Sequence, residues 1–145
     1  MWDLLQRNLA GITETEAEWR PHPDANNIRW LVGHLAWFEE WTHDALCQDG
    51  RFSMDRDPTA NLEGTIPKLM ARFTESRTRY REYLAAMQEQ DLLTEISYFG
   101  RHAVTGLGLL ETHALHLAGH RFQVRYVRGT YSRARGTRKS DFDPW

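Results

Sequence analysis

The chain has 145 residues, 41% hydrophobic and 26% charged, with a formal net charge of −2. That length favours one domain around one core, and the balance excludes a disordered chain and an overall electrostatic match to nucleic acid. A single Cys excludes an internal disulfide and any multi-cysteine metal site and fits a reducing compartment, while no apolar run approaches the ~20 residues of a membrane span.

Four segments show helical periodicity. The first covers about residues 2–18, where Trp2, Leu5, Leu9, Ile12 and Glu16 follow one face. This N-terminal stretch carries Asp and Glu and no basic run, so no signal peptide is expected and the expected location is the cytoplasm, without a membrane partner. Trp19-Arg20-Pro21-His22-Pro23-Asp24 ends the helix, because each Pro lacks an N–H and disfavours helical geometry in the residue before it. The second helix covers about 26–47, with Asn26 or Asn27 as N-cap. Ile28, Leu31, Leu35, Phe38 and Thr42 make one stripe, and Trp30, Trp37 and Trp41 a neighbouring one. At about 100° per residue, His34 falls between the two stripes and so points inward. Cys47, near the helix end, reads as structural or incidental, since no Cys/His pattern is set around it.

A polar loop from Arg51 to Ala60 leads to the third helix, at about 61–89. Leu62, Ile66, Leu69, Phe73, Tyr80, Leu84 and Met87 make its apolar face. Pro67 is tolerable only in a first turn, which moves the expected start towards residue 65. Arg72, Glu75, Arg77, Arg79, Arg81 and Glu82 read as a solvated outer face without a function. Residues 91–105 have no helical period, and Ile96, Tyr98 and the Gly100-Arg101 pair suggest an extended segment or short hairpin. The fourth helix covers about 106–128, with Leu107, Leu110, His113, His116, Leu117, His120, Val124 and Val127 inward. Residues 1–129 form the expected domain, and residues 130–145 read as a solvated or crossing tail. The fold class expected is all-α, a four-helix bundle in a single domain, with connections long enough for one of them to cross the bundle.

His116 and His120 lie on one face, about 6 Å apart at Cβ. That spacing lets two imidazoles share one metal ion, although alone it equally suits a pair of structural histidines. The third member is His34, inward on another helix, as in bundle sites built from facing helices. Three neutral imidazoles buried without partners would each cost on the order of 1–3 kcal/mol, and a divalent cation removes that penalty. Imidazole suits zinc, nickel, iron and copper; zinc or nickel is the expected cofactor. Three histidines leave an open coordination position, which catalytic sites keep, and a thiol or water there loses its proton more readily. His113 is expected to line the pocket rather than ligate, Gln123 to hydrogen-bond near the site, and Trp30 and Trp37 to wall it. Glu39, Asp44 and Glu111 are the nearest acids in sequence for orienting the ligands. His22, His43 and His102 fall in or near loops or on polar faces.

Two motifs together resemble the DinB-like family. EWRPHPDANNIRWLVGHLAWFEEW (Glu18–Trp41) is similar to its Trp and Pro-containing loop and its second helix with a Gly-His-Leu motif, where His34 is the histidine. HLAGHRFQVRYVRG (His116–Gly129) is similar to its fourth-helix His-x-x-x-His-Arg-x-Gln pattern at His116, His120, Arg121 and Gln123. The likeness runs from the first helix to about Gly129. The chain departs from the pattern at Phe122, where many members have Gly, and at Thr112, where many carry a further histidine that is here displaced to His113.

The resemblance implies a four-helix bundle, often a homodimer, with a three-histidine divalent metal site. For some members it implies transferase or isomerase chemistry with low-molecular-weight thiols such as bacillithiol or mycothiol. The expected function is therefore a metal-dependent thiol S-transferase acting on a small-molecule substrate. The alternatives are a metal-dependent hydrolase and a non-catalytic, metal-binding stress-response dimer. A nucleic-acid role through Arg125, Arg128, Arg133, Arg135, Arg138 and Lys139 lacks a recognisable motif.

Overall fold

The computed structural model describes residues 1–47 and 64–137. In chain order they form α1 (Trp2–Leu9), α2 (Glu14–Glu18), α3 (Ile28–Cys47), α4 (Ile66–Ala86), a 3-10 turn (Glu89–Leu93), an antiparallel hairpin of β1 (Glu95–Tyr98) and β2 (His102–Thr105), and α5 (Gly106–Ala134). The class is all-α, a single helical domain with only this small sheet. The expected loop from Arg51 to Ala60, Leu62 of the expected third-helix face, and Arg138 and Lys139 lie outside the described residues.

The first expected helix is broken in two. Gly11 takes a left-handed φ of 67°, open to glycine at no steric cost. Thr13 then starts α2 by accepting a hydrogen bond from the Glu16 N–H at 3.2 Å, a capping role that favours a new helix over continuation of the old one. Glu16, the one charged residue of that expected stripe, falls on α2. Its carboxylate is buried and accepts from Arg128 Nε at 2.7 Å. Arg128 also donates to the carbonyls of Asn8 and Ala10, at 2.7 and 3.0 Å. One guanidinium from α5 thus satisfies carbonyls at the end of α1 that have no partner within the helix, and it locks α1 and α2 onto α5.

Helix α3 starts where Asn27 caps it, the Asn27 Oδ1 accepting from Trp30 N–H at 2.9 Å. Its stripe of Ile28, Leu31, Leu35, Phe38 and Thr42 is nowhere more than 3% exposed. It is the central helix, packed on α4 along one side and α5 along another. Helix α4 begins at Ile66 with Pro67 in its first turn, as the missing Pro N–H requires. The charged face of α4 is not simply solvated. Arg72 donates to Glu40 through Nε at 2.8 Å, and Arg77 donates to Glu39 at 2.9 Å. Periodicity along α4 alone cannot show this, because the acceptors sit on α3.

Residues 95–105 form the hairpin, paired Tyr98 to His102 and Glu95 to Thr105. Its turn uses two successive left-handed residues, Phe99 (φ 54°) and Gly100 (φ 63°), which suits the twist of a hairpin. A bulky residue rarely adopts this conformation; here it lays the Phe99 ring on Trp41, with centroids 4.3 Å apart. Helix α5 follows at once, capped by Thr105. At Gly106 a Cβ would come within 2.3 Å of the Asp91 carbonyl oxygen, so only glycine allows this close start.

The inward stripe of α5 is Gly106, Leu109, His113, Leu117, Arg121, Val124 and Val127. Leu107, expected inward, is 47% exposed, because the start at Gly106 turns Leu109 into the core instead. The helix continues past residue 128 to Ala134, and Tyr131 packs edge-on against Trp19 at 5.6 Å.

Candidate metal centre

The middle of α3 faces the middle of α5, and three histidines meet there. His34 Nε2 lies 3.0 Å from His116 Nε2, and His120 Nε2 also lies 3.0 Å from His116 Nε2. One ligand atom from each ring falls within 4.8 Å of the others. All three rings are half-buried. Two nitrogens bound at about 2.0–2.1 Å to one tetrahedral ion stand about 3.4 Å apart, so the two 3.0 Å contacts of His116 would widen by a few tenths of an ångström around one.

Proton counting favours a cation at this point. His120 donates its Nδ1–H to Gln123 Oε1 at 2.6 Å, which leaves its Nε2 as a lone pair in the neutral ring. His116 Nε2 faces two nitrogens and carries at most one proton. One hydrogen bond cannot serve both contacts, whereas a divalent ion takes the lone pairs of all three rings. Among the described residues this group has three histidines and no fourth protein ligand.

The rings are held mainly by stacking. Trp30 and Trp37, one turn before and one turn after His34, stack on it with centroids 4.6 and 5.7 Å away. Phe38 lies 3.9 Å from the His116 ring. The Nδ1 atoms of His34 and His116 are buried with no hydrogen-bond partner among the described residues. Aromatic packing therefore sets the orientation that a carboxylate sets in many metal sites.

The expected orienting acids go elsewhere. Glu39 accepts from His113 Nε2–H at 2.9 Å and from Arg77 at 2.9 Å, Asp44 bonds His43, and Glu111 is exposed. His113 is 5% exposed, inside the core one turn from His116, between Phe38 and Tyr80. The Arg77–Glu39–His113 set and Phe38 are missed by sequence reasoning. Phe38 stands four residues after His34, on its face, but reads there only as part of an apolar stripe. Cys47, expected without a histidine pattern, lies 3.6 Å from His43 Nε2. Burial and the Asp44 charge push its thiol up, the opposite of an activated nucleophile.

Burial lowers all three clustered histidines. His34 falls to about 4, through burial and then the charge of His120. His116 falls to about 3, through burial and then His120, His34 and His113. His120 is lowered by burial against the opposing hydrogen bond of Gln123. The neutral ring is the form that can bind a metal, and these shifts keep all three rings in that form at neutral pH.

The same shifts set a pH dependence. Through this range the unfolded chain binds more protons than the folded one, so stability rises with pH. The metal-free protein is expected to hold this contribution fully above about pH 6.5 and to lose it as pH falls through about 4 at His34 and about 3 at His116. Urea melts of metal-free wild type and His34→Asn at a series of pH values check it. The gap between the two should shrink with acid, and a constant gap would contradict the assignment.

Comparison with known proteins gives a consistent picture. A family profile described as the DinB superfamily matches residues 1–124, a span that includes all three histidines and Gln123. Among solved structures, a crystal structure described as a conserved protein from Enterococcus faecalis shares the fold, with a TM-score of 0.68 at 18% identity over 88% of each chain. No curated protein matches.

Proposed function

The chain belongs to the DinB superfamily, and from that premise we propose that His34, His116 and His120 hold one divalent cation, zinc or nickel, in a metal-dependent S-transferase that joins a low-molecular-weight thiol to a small electrophile. The observation that supports this most is the convergence of three imidazole Nε2 atoms with no fourth ligand from the described residues, since catalytic sites keep a position open. A divalent cation bound there would lower the pKa of a thiol or water in the open position. The chain's own residues do the rest. Gln123 keeps the His120 proton on Nδ1, and Trp30 and Trp37 exclude water from the faces of His34 and offer an apolar wall to an organic electrophile.

A homodimer belongs to the same reading. Leu115 and Phe122 are exposed by 74% and 51% along one stripe of α5. Between them, a Cβ on Gly119 would meet nothing within 4 Å, so a second helix has room to approach this apolar surface. A cytoplasmic setting fits the reading, since it keeps the exposed Cys47 reduced.

The test is to load the purified protein with zinc or nickel and incubate it with cellular thiols and a panel of alkyl halides and epoxides. A thiol conjugate detected by mass spectrometry, and absent with His116→Ala, is the expected result. Cleavage of ester or amide substrates without thiol would replace this reading by the hydrolase. Stoichiometric metal without turnover of either kind would replace it by the non-catalytic metal-binding dimer.

A further inference from the structure

A cavity of about 170 Å³, lined in part by Gln123, opens between α5 and the segment that joins α2 to α3. Pro21, Leu31 and Val127 give it apolar walls, and Asn26, Gln123 and Tyr126 bring polar side chains to it. Gln123 has its Oε1 committed to His120 Nδ1. That fixes the amide so that its two N–H donors lie on the other branch, turned from the ring. Gln123, Asn26 and Tyr126 are exposed, and neither those donors, nor the Asn26 amide, nor the Tyr126 hydroxyl has a protein hydrogen-bond partner among the described residues, so a ligand here would replace water on them. Exposed Arg20 donates to the carbonyl of Ala25, one of the lining residues.

Two features of this place decide what it can take. Its size is below the roughly 300–1,000 Å³ of pockets that enclose a whole small ligand, so it suits one end of a molecule. Its unpaired groups are chiefly donors, which call for oxygen acceptors. We infer that the cavity is a subsite for the carboxylate or carboxamide end of a small organic molecule, gripped by Gln123 Nε2, Asn26 and Tyr126, and that Gln123 reports its occupancy to His120. Only the link to a bound ion rests on the metal reading; the cavity and its donors stand without it.

The test titrates N-acetylglycine into the isotope-labelled full chain, metal-free and zinc-loaded, and follows the side-chain amide signals of Gln123 and Asn26 and the His120 ring signals by NMR. The expected result is a saturable shift of both amides in the metal-free protein, accompanied by a His120 shift. Asn26→Ala and Tyr126→Phe should each weaken binding by about fivefold, the worth of one hydrogen bond. tert-Butanol, similar in bulk but without the planar acyl oxygens, should bind more weakly. Shifts that do not saturate, that ignore both variants, or that tert-butanol reproduces would overturn the inference. Zinc uptake, measured separately on the same samples, isolates any failure of the metal reading, because binding to the metal-free chain does not depend on it.

Discussion

His116→Ala is expected to abolish stoichiometric metal binding while leaving the helical content unchanged. His116 is the hub of the site, with its Nε2 at 3.0 Å from both other ligand nitrogens. Removing it leaves His34 and His120 on different helices with a gap where the shared partner stood. Losing a group that merely orients a ligand costs about 10–100-fold in metal affinity, so losing the central ligand should exceed that. Folding should survive, because the ring is half-buried and its Nδ1 bonds nothing among the described residues. Elemental analysis should find about one zinc or nickel per wild-type chain and less than about a tenth of that in the variant, where a site of three ligands has become one of two. His113→Ala, by contrast, should keep its metal, since that ring faces Glu39. A wild-type chain that takes up no divalent metal, or a His116→Ala chain that binds as well as wild type, would remove the basis of the site.

Glu39→Ala should be the most damaging substitution for stability. Glu39 is 1% exposed and accepts from both Arg77 and His113. Its loss strands a guanidinium and a buried imidazole without their acceptor, and breaking a buried ion pair in this way costs about 3–5 kcal/mol. For a chain of this size that is a fall in Tm of about 10 °C. Glu39→Gln should cost less, since the amide keeps one acceptor oxygen at the same place. Thermal melts by circular dichroism check both, and metal content measured alongside should remain near wild type. A loss below about 1 kcal/mol would mean that Arg77 and His113 find other partners.

Much of the fold was legible along the chain because its signals are local. Asn27 as a cap, Pro67 in a first turn and the α3 stripe each depend on residues within one or two turns, and each appears where expected. The same locality misled at Gly11, where one left-handed residue and a capping Thr13 outweigh a periodic pattern that runs across them. It misled again on α4, where Arg72 and Arg77 look solvated until α3 supplies Glu40 and Glu39.

The candidate site divides in the same way. The i, i+4 spacing of His116 and His120 and the inward bearing of His34 are properties of single helices, so the sequence by itself determined which imidazoles face the core. Tertiary structure alone decided that the three nitrogens gather within 4.8 Å of one another, that aromatic rings hold two of them, and that Glu39 serves His113 instead of one of the three. Those facts depend on the rotation and depth at which α3 docks against α4 and α5. Packing across helices settles that docking through side chains far apart in the chain, and helical periodicity carries no record of it.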